Sequence, residues 1–380
     1  MICLRVLTAL VALLALPPAP ARAEILVGVA GPLSGPNAAL GEQLKRGAQR
    51  AIDDINATGG LRGERLAMLA ADDGCDPRKA VDAATQFVST GVRFVAGHYC
   101  SGSSIPASKI YEAAGIVQIS PASTNPKYTD DGGWNVFRIC PRDDAQGTVA
   151  GRLIATRFAG RRIALLSDQS PAGAALIVKA RAALSDAAIA PVVDEAYKPG
   201  AKDYPYLVER LRSAQAEVIY LGGTYVEGGI IIRELRGLGS SAQLISADGL
   251  VTDDFWNIAK DSGEGTLMTF MYDPQKFDAA KPVLARFRDD GFNPEGYTLY
   301  AYAAIQAWVQ AAEATGGADS HRIADWLRAG NTVRTVTGDI SFDAKGDLRD
   351  PRFAWFRWTG GKYGEAEPQS LEQPNPVATP

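Results

Sequence analysis

The chain has 380 residues, 39 Lys and Arg against 43 Asp and Glu, and a net charge of −4. A mildly acidic sequence without basic runs excludes nucleic acid as an expected partner, and no polybasic patch favours anionic membranes. The length suits about two domains.

Residues 1–23 read as a secretory leader: an early Arg5, the apolar run Val6–Leu16, and the small-residue ending Ala21-Arg22-Ala23. The run is too short to span a bilayer, and prolines at 17, 18 and 20 break it. Cleavage before Glu24 and a soluble, exported product are expected. Ile25–Ala30 then reads as a strand, followed by the turn Leu33-Ser34-Gly35-Pro36. Leu44, Ala48, Ala51, Ile52 and Ile55 line one helical face, which Gly59 and Gly60 stop. The strand Arg65–Ala70 leads to Asp76-Pro77, an N-cap with proline at the first helical position. The next helix is expected to bury Val81, Ala84, Phe87 and Val88. Strands Phe94–Ala96 and Ile116–Ile119 each run into small hydroxylated residues, and in an open parallel sheet such loops lie where ligands bind.

After Arg138-Ile139-Cys140-Pro141 the rhythm restarts. Strands Ile163–Leu166, Val192–Ala196, Val218–Leu221, Gln243–Ser246 and Thr266–Phe270 alternate with helices near 145–158, 172–187, 204–215, 228–237 and 254–260. Right-handed crossovers make this a second doubly wound parallel sheet. The helix Tyr297–Ala314 is expected to return to the first domain, with Tyr302, Ile305, Val309 and Ala312 on one face. Arg352–Trp358 reads as a final strand, and Glu365–Pro380 as a disordered tail.

Beyond the leader the cysteines are Cys75, Cys100 and Cys140. Cys75 and Cys100 each follow an apolar strand, so a bond between them at one sheet edge is expected in an oxidising compartment. It closes a loop of about 25 residues, worth roughly 3 kcal/mol in the chain-entropy model. Cys140 is then a buried odd thiol.

In order along the chain stand Gly31-Pro-Leu-Ser-Gly-Pro36, Ala51-Ile-Asp-Asp-Ile-Asn-Ala-Thr-Gly-Gly60, Asp72-Asp-Gly-Cys-Asp-Pro77, Gly97-His-Tyr-Cys-Ser101, Ser120-Pro-Ala-Ser-Thr124, Gly222-Gly223 and Gly346-Asp347-Leu348. Carrying these, the chain resembles the periplasmic leucine/isoleucine/valine-binding proteins, the receptors of branched-chain amino-acid ABC importers. The resemblance runs from Ile25 to about Trp358. It implies two doubly wound α/β lobes joined by three crossings, lobe 1 being 24–141 plus 272–348 and lobe 2 being 142–271 plus 349–364. It also implies a periplasmic location, a membrane permease as partner, a monomer, no metal or cofactor, and the same Cys75–Cys100 pair.

Carried over residue by residue, Ser101, Ala122 and Thr124 fall where relatives hold the ligand carboxylate, and Asp248 where relatives place an acid, usually glutamate, against the ammonium. Ala172 and Thr224 stand where relatives often have tyrosines, with Tyr225 adjacent, and Leu40 replaces a common aromatic. Tyr99 and Tyr297 add aromatic bulk, so a reshaped pocket for another amino acid, an aromatic carboxylate or an amide is the alternative. A ligand-sensing subunit shares the same sequence features. An exported hydrolase using Asp72, Asp73 or Asp248 is a remoter reading: His98 and His321 are far apart and no HExxH, GxSxG or Walker A motif occurs. In isolation, His98 reads as structural, and Asp72 and Asp73 as helix caps or solvent-facing acids.

Overall fold

The computed structural model describes residues 24–317 and 319–366. The leader read at 1–23, and the tail from 367 onward, lie outside the described residues. Strands β1 (Glu24–Gly31), β2 (Arg65–Asp72), β3 (Phe94–Gly97), β4 (Val117–Ser120) and β5 (Val136–Arg138) form one parallel sheet in the order β2-β1-β3-β4-β5. Both β3 and β4 are buried throughout, and β3 reads as a continuous apolar run. The chain order turns back between β1 and β3, so the loops after these two strands open a crevice at the sheet's carboxyl edge.

The second sheet repeats the device. Strands β6 (Ile163–Ser167), β7 (Val193–Ala196), β8 (Val218–Gly222), β9 (Gln243–Ser246) and β10 (Leu267–Met271) run parallel, with the order turning back between β6 and β8. A small hairpin, β11 (Val333–Thr335) and β12 (Gly338–Ile340), precedes β13 (Phe353–Thr359) and β14 (Lys362–Glu365). β13 joins antiparallel beside β10, and β14 antiparallel beside β13, so this sheet is mixed where a wholly parallel one was expected. The third crossing delivers β13 running against β10. Gly360 and Gly361, both at positive φ (57° and 87°), then turn the chain within two residues. Glu365 accordingly lies in a strand, where the tail was expected to begin.

The helix Thr298–Thr315 packs on the helix Ala38–Ala57 and over β3 and β4, with Trp308 stacked on Phe94 at 4.9 Å between ring centroids. Gly47 permits this approach: a Cβ there would lie 1.9 Å from the Thr298 carbonyl oxygen. In the helix Pro77–Ser89 the buried face is Ala80, Ala83, Ala84 and Phe87, while Val88 is exposed, so the expected face is turned by about one residue. Asp76 caps that helix through Arg78 N and Lys79 N, as its sequence indicates.

The chain passes between the sheets after β5, after β10 and before β13. Arg138, fully buried, ties the first passage to the third. Its guanidinium pairs with Asp347 at 2.6 Å and donates to Ser123 O and Asn125 O. Removing one partner of this buried pair costs about 3–5 kcal/mol, because the other charge is left uncompensated.

Candidate functional site

The loops after β1, β3 and β4 form one wall of the crevice. Cys75 and Cys100 are joined, with Cα atoms 5.4 Å apart, tying the end of β2 to the loop after β3. His98 donates or accepts at both ring nitrogens, to Asp73 Oδ2 at 2.6 Å and Tyr111 Oη at 2.9 Å, all three residues being buried. Asp73 therefore neither caps a helix nor faces solvent. Asp72 accepts from Leu33 N at 2.8 Å and from the Ser34 hydroxyl, holding the first loop. Ser120 and Ser123 donate to the carbonyls of His98 and Tyr99, so much of the hydroxyl cluster is spent on joining loops.

Ser101 opens the helix Ser101–Ala113 and accepts from Asn125 N at 3.1 Å, which leaves its own proton free to donate. Asn125 in turn donates to Pro171 O of the second lobe at 2.7 Å, and Gly102 faces Pro171. The N-terminal ends of two helices, Ser101–Ala113 and Pro171–Asp186, thus meet across the crevice, an environment that favours an anion. Ala122 and Thr124 are buried beside this seam, and Thr124 O accepts from Asp143 N at 2.9 Å.

Asp248 reaches the seam from the other side, on a short turn after β9. A Cβ on the following Gly249 would lie 2.3 Å from Gly223 O, so glycine lets the loops after β8 and β9 pack together. Asp248 Oδ2 accepts from the Tyr297 hydroxyl at 2.6 Å, while the Gln146 amide donates to Thr269 O and Thr269 Oγ1. Burial pushes the Asp248 carboxyl above the usual carboxylate range, and the Tyr297 hydrogen bond opposes the push. Tyr297 meets Tyr99 edge-on at 5.3 Å and Phe270 at 5.1 Å, forming an aromatic wall around the acid.

The other two candidates are engaged elsewhere. Thr224 stands at the N-cap position of the helix Tyr225–Gly237 without a side-chain capping bond, and its hydroxyl donates to the Glu227 carboxylate at 2.9 Å. The Tyr225 hydroxyl crosses the crevice to Pro36 O at 2.6 Å, and burial pushes its pKa up to about 12. Gln43 donates to Val251 O, and Thr252 to Glu295, further along the same seam. The lobes are therefore closed on one another. Cys140 is buried, and burial pushes its thiol upward. Cavities of about 430 Å³ beside Met271 and Arg352, and about 220 Å³ beside Glu295 and Lys362, have none of Ser101, Ala122, Thr124 and Asp248 in their linings.

Ser101, Ala122, Thr124, Tyr99, Tyr297 and Asp248 thus gather along one seam. The sequence reading passed over Asp143 and Gln146. The only sequence signal was an acid pair opening a helix, which reads first as a favourable match to the helix dipole.

A family model described as periplasmic binding protein matches residues 24–362. The chain belongs to the periplasmic binding protein family. "Leu/Ile/Val-binding protein homolog 1" of Brucella suis is 42% identical over 345 residues, covering 91% of this periplasmic binding protein and 93% of the relative. An "Amino acid binding protein" of Pseudomonas aeruginosa is 42% identical over 347 residues, covering 90% and 92%. Among solved structures, the branched-chain amino acid transporter substrate binding protein LivJ of Streptococcus pneumoniae, in complex with isoleucine, has a TM-score of 0.82. At 24% identity, covering 91% of this chain and 100% of LivJ, it shows the shared fold.

Proposed function

We propose that this periplasmic binding protein is the extracytoplasmic receptor of an ABC importer, which closes on an amino acid and delivers it unchanged to a membrane permease. The observation that carries this reading is the pairing of the two walls along the seam. A wall of hydroxyls and a helix N-terminus in one lobe faces Asp248 of the other, and Tyr225 fastens the closed state. A zwitterion needs donors on one side and an anion on the other, both desolvated on closure, and charge-assisted hydrogen bonds are about twice as strong as neutral ones. Ser101, Ala122 and Thr124 hold the carboxylate end and Asp248 the ammonium. Tyr99 and Tyr297 flank the ligand's side chain.

The moving bodies in this reading are 24–141 with 272–348 and 142–271 with 349–364. Ligand binding energy selects the closed form, ATP being hydrolysed by separate subunits, so the receptor itself transforms nothing. The leader at 1–23 and the Cys75–Cys100 bond support a periplasmic location, since disulfides persist in oxidising compartments. The receptor works as a monomer.

Thermal shift of the purified protein with each of the twenty L-amino acids, benzoate, 4-hydroxybenzoate and benzamide tests the reading. At a hundredfold excess over Kd, a true ligand adds about 2.7 kcal/mol of stability. A subset of amino acids is expected to raise Tm, and Asp248→Ala to abolish that shift. A response to aromatic acids alone would overturn the ammonium assignment. Recovery of the protein with a signalling receptor in place of a permease would make it a sensor.

A further inference from the structure

Asp143 is fully buried at the start of the helix Asp143–Arg157, and neither of its carboxylate oxygens makes a hydrogen bond of good geometry. Asp143 N donates to Thr124 O at 2.9 Å, which sets the acid against the wall of the first lobe, and the Asp248 charge reaches it from the second. Tyr220, whose buried hydroxyl is also unpartnered, feels both acids, as does Cys140. Asp143 therefore sits in the chamber, between the two walls. The remaining charged groups that act on it are Arg138 and Asp144. Arg138 is committed to Asp347 and to two backbone carbonyls, and Asp144 to Arg142. Two buried carboxylates thus share a chamber in which the nearby guanidinium is spent elsewhere.

An ammonium group carries three donors and needs three acceptors. Asp248 alone supplies too few, because one carboxylate cannot meet three diverging N–H groups and Tyr297 already occupies one of its oxygens. We propose that Asp143 is a second acidic contact for the ligand's cationic group, so that the chamber is a two-carboxylate receptor selecting a protonated amine. This rests on the amino-acid reading above and deepens it, since a carboxylate lacking an amine is repelled by both acids. Burial and the neighbouring Asp248 charge push the Asp143 carboxyl well above the usual range, as expected of an acid awaiting a positive partner.

The test compares amino acids with their deaminated counterparts: alanine with lactate, and valine and leucine with the matching 2-hydroxy acids. Affinities are measured by calorimetry for the wild type and for Asp143→Asn, with Asp143→Ser as the replacement should the first variant fail to fold. Losing one charged hydrogen-bond partner is expected to weaken amino-acid binding about 10- to 100-fold. It should spare or improve the hydroxy acids, so the preference for an amine falls by at least about tenfold. An equal loss for both members of each pair would mark Asp143 as merely structural and overturn the proposal, as would unchanged affinities. Failure of the wild type to bind any amino acid would instead remove the underlying reading, and this proposal with it.

Discussion

Replacing Tyr225 by phenylalanine removes one hydroxyl from a hydrogen bond that exists only while the lobes are shut. The hydroxyl donates to Pro36 O at 2.6 Å, Tyr225 being buried and Pro36 exposed. On opening, the exposed carbonyl regains water, so the loss is that of an ordinary hydrogen bond, about 0.5–1.5 kcal/mol, without the larger cost of an orphaned buried group. All of it falls on the closed state, and apparent affinity follows the closed-competent fraction, so Kd should rise about 2- to 12-fold. The encounter complex forms before the latch does. The association rate should therefore stay constant and the dissociation rate carry the change. Stopped-flow tryptophan fluorescence with the amino acid that gives the largest thermal shift reads both rates. A loss beyond about a hundredfold would mean that Tyr225 touches the ligand itself. A slowed association at constant dissociation, or no change, would refute the latch.

Two further outcomes follow from the same contacts. Glu295 bonds Thr252 and Asp253 of the second lobe, and burial raises its pKa to about 7. A raised carboxyl stabilises the folded form below its ordinary range and loses that contribution as pH rises through about 7, so Glu295→Gln should gain Tm relative to the wild type between pH 5 and pH 8. A Tm difference independent of pH would contradict this. Reducing Cys75–Cys100, which are separated by 25 residues, should cost roughly 3 kcal/mol. In calorimetry that is a fall in Tm of about 6–12 °C at roughly 2–4 °C per kcal/mol, and an unchanged Tm would show that the bond constrains little.

The amino-acid sequence by itself determined the alternation of strands and helices, the Asp76-Pro77 cap and the pairing of Cys75 with Cys100, because periodicity, capping and strand-end position act over a few residues. It also named six side chains that gather at the seam. Tertiary structure alone decided the rest. The three residues of β5 are too few to show a period, and the direction of β13 depends on where the third crossing enters. The contacts that Tyr225 and Asp248 make were not legible for one physical reason. A hydroxyl or carboxylate is assigned by the partner it meets and the water it loses, and here the partners lie 189 residues away for Tyr225 and 49 for Asp248.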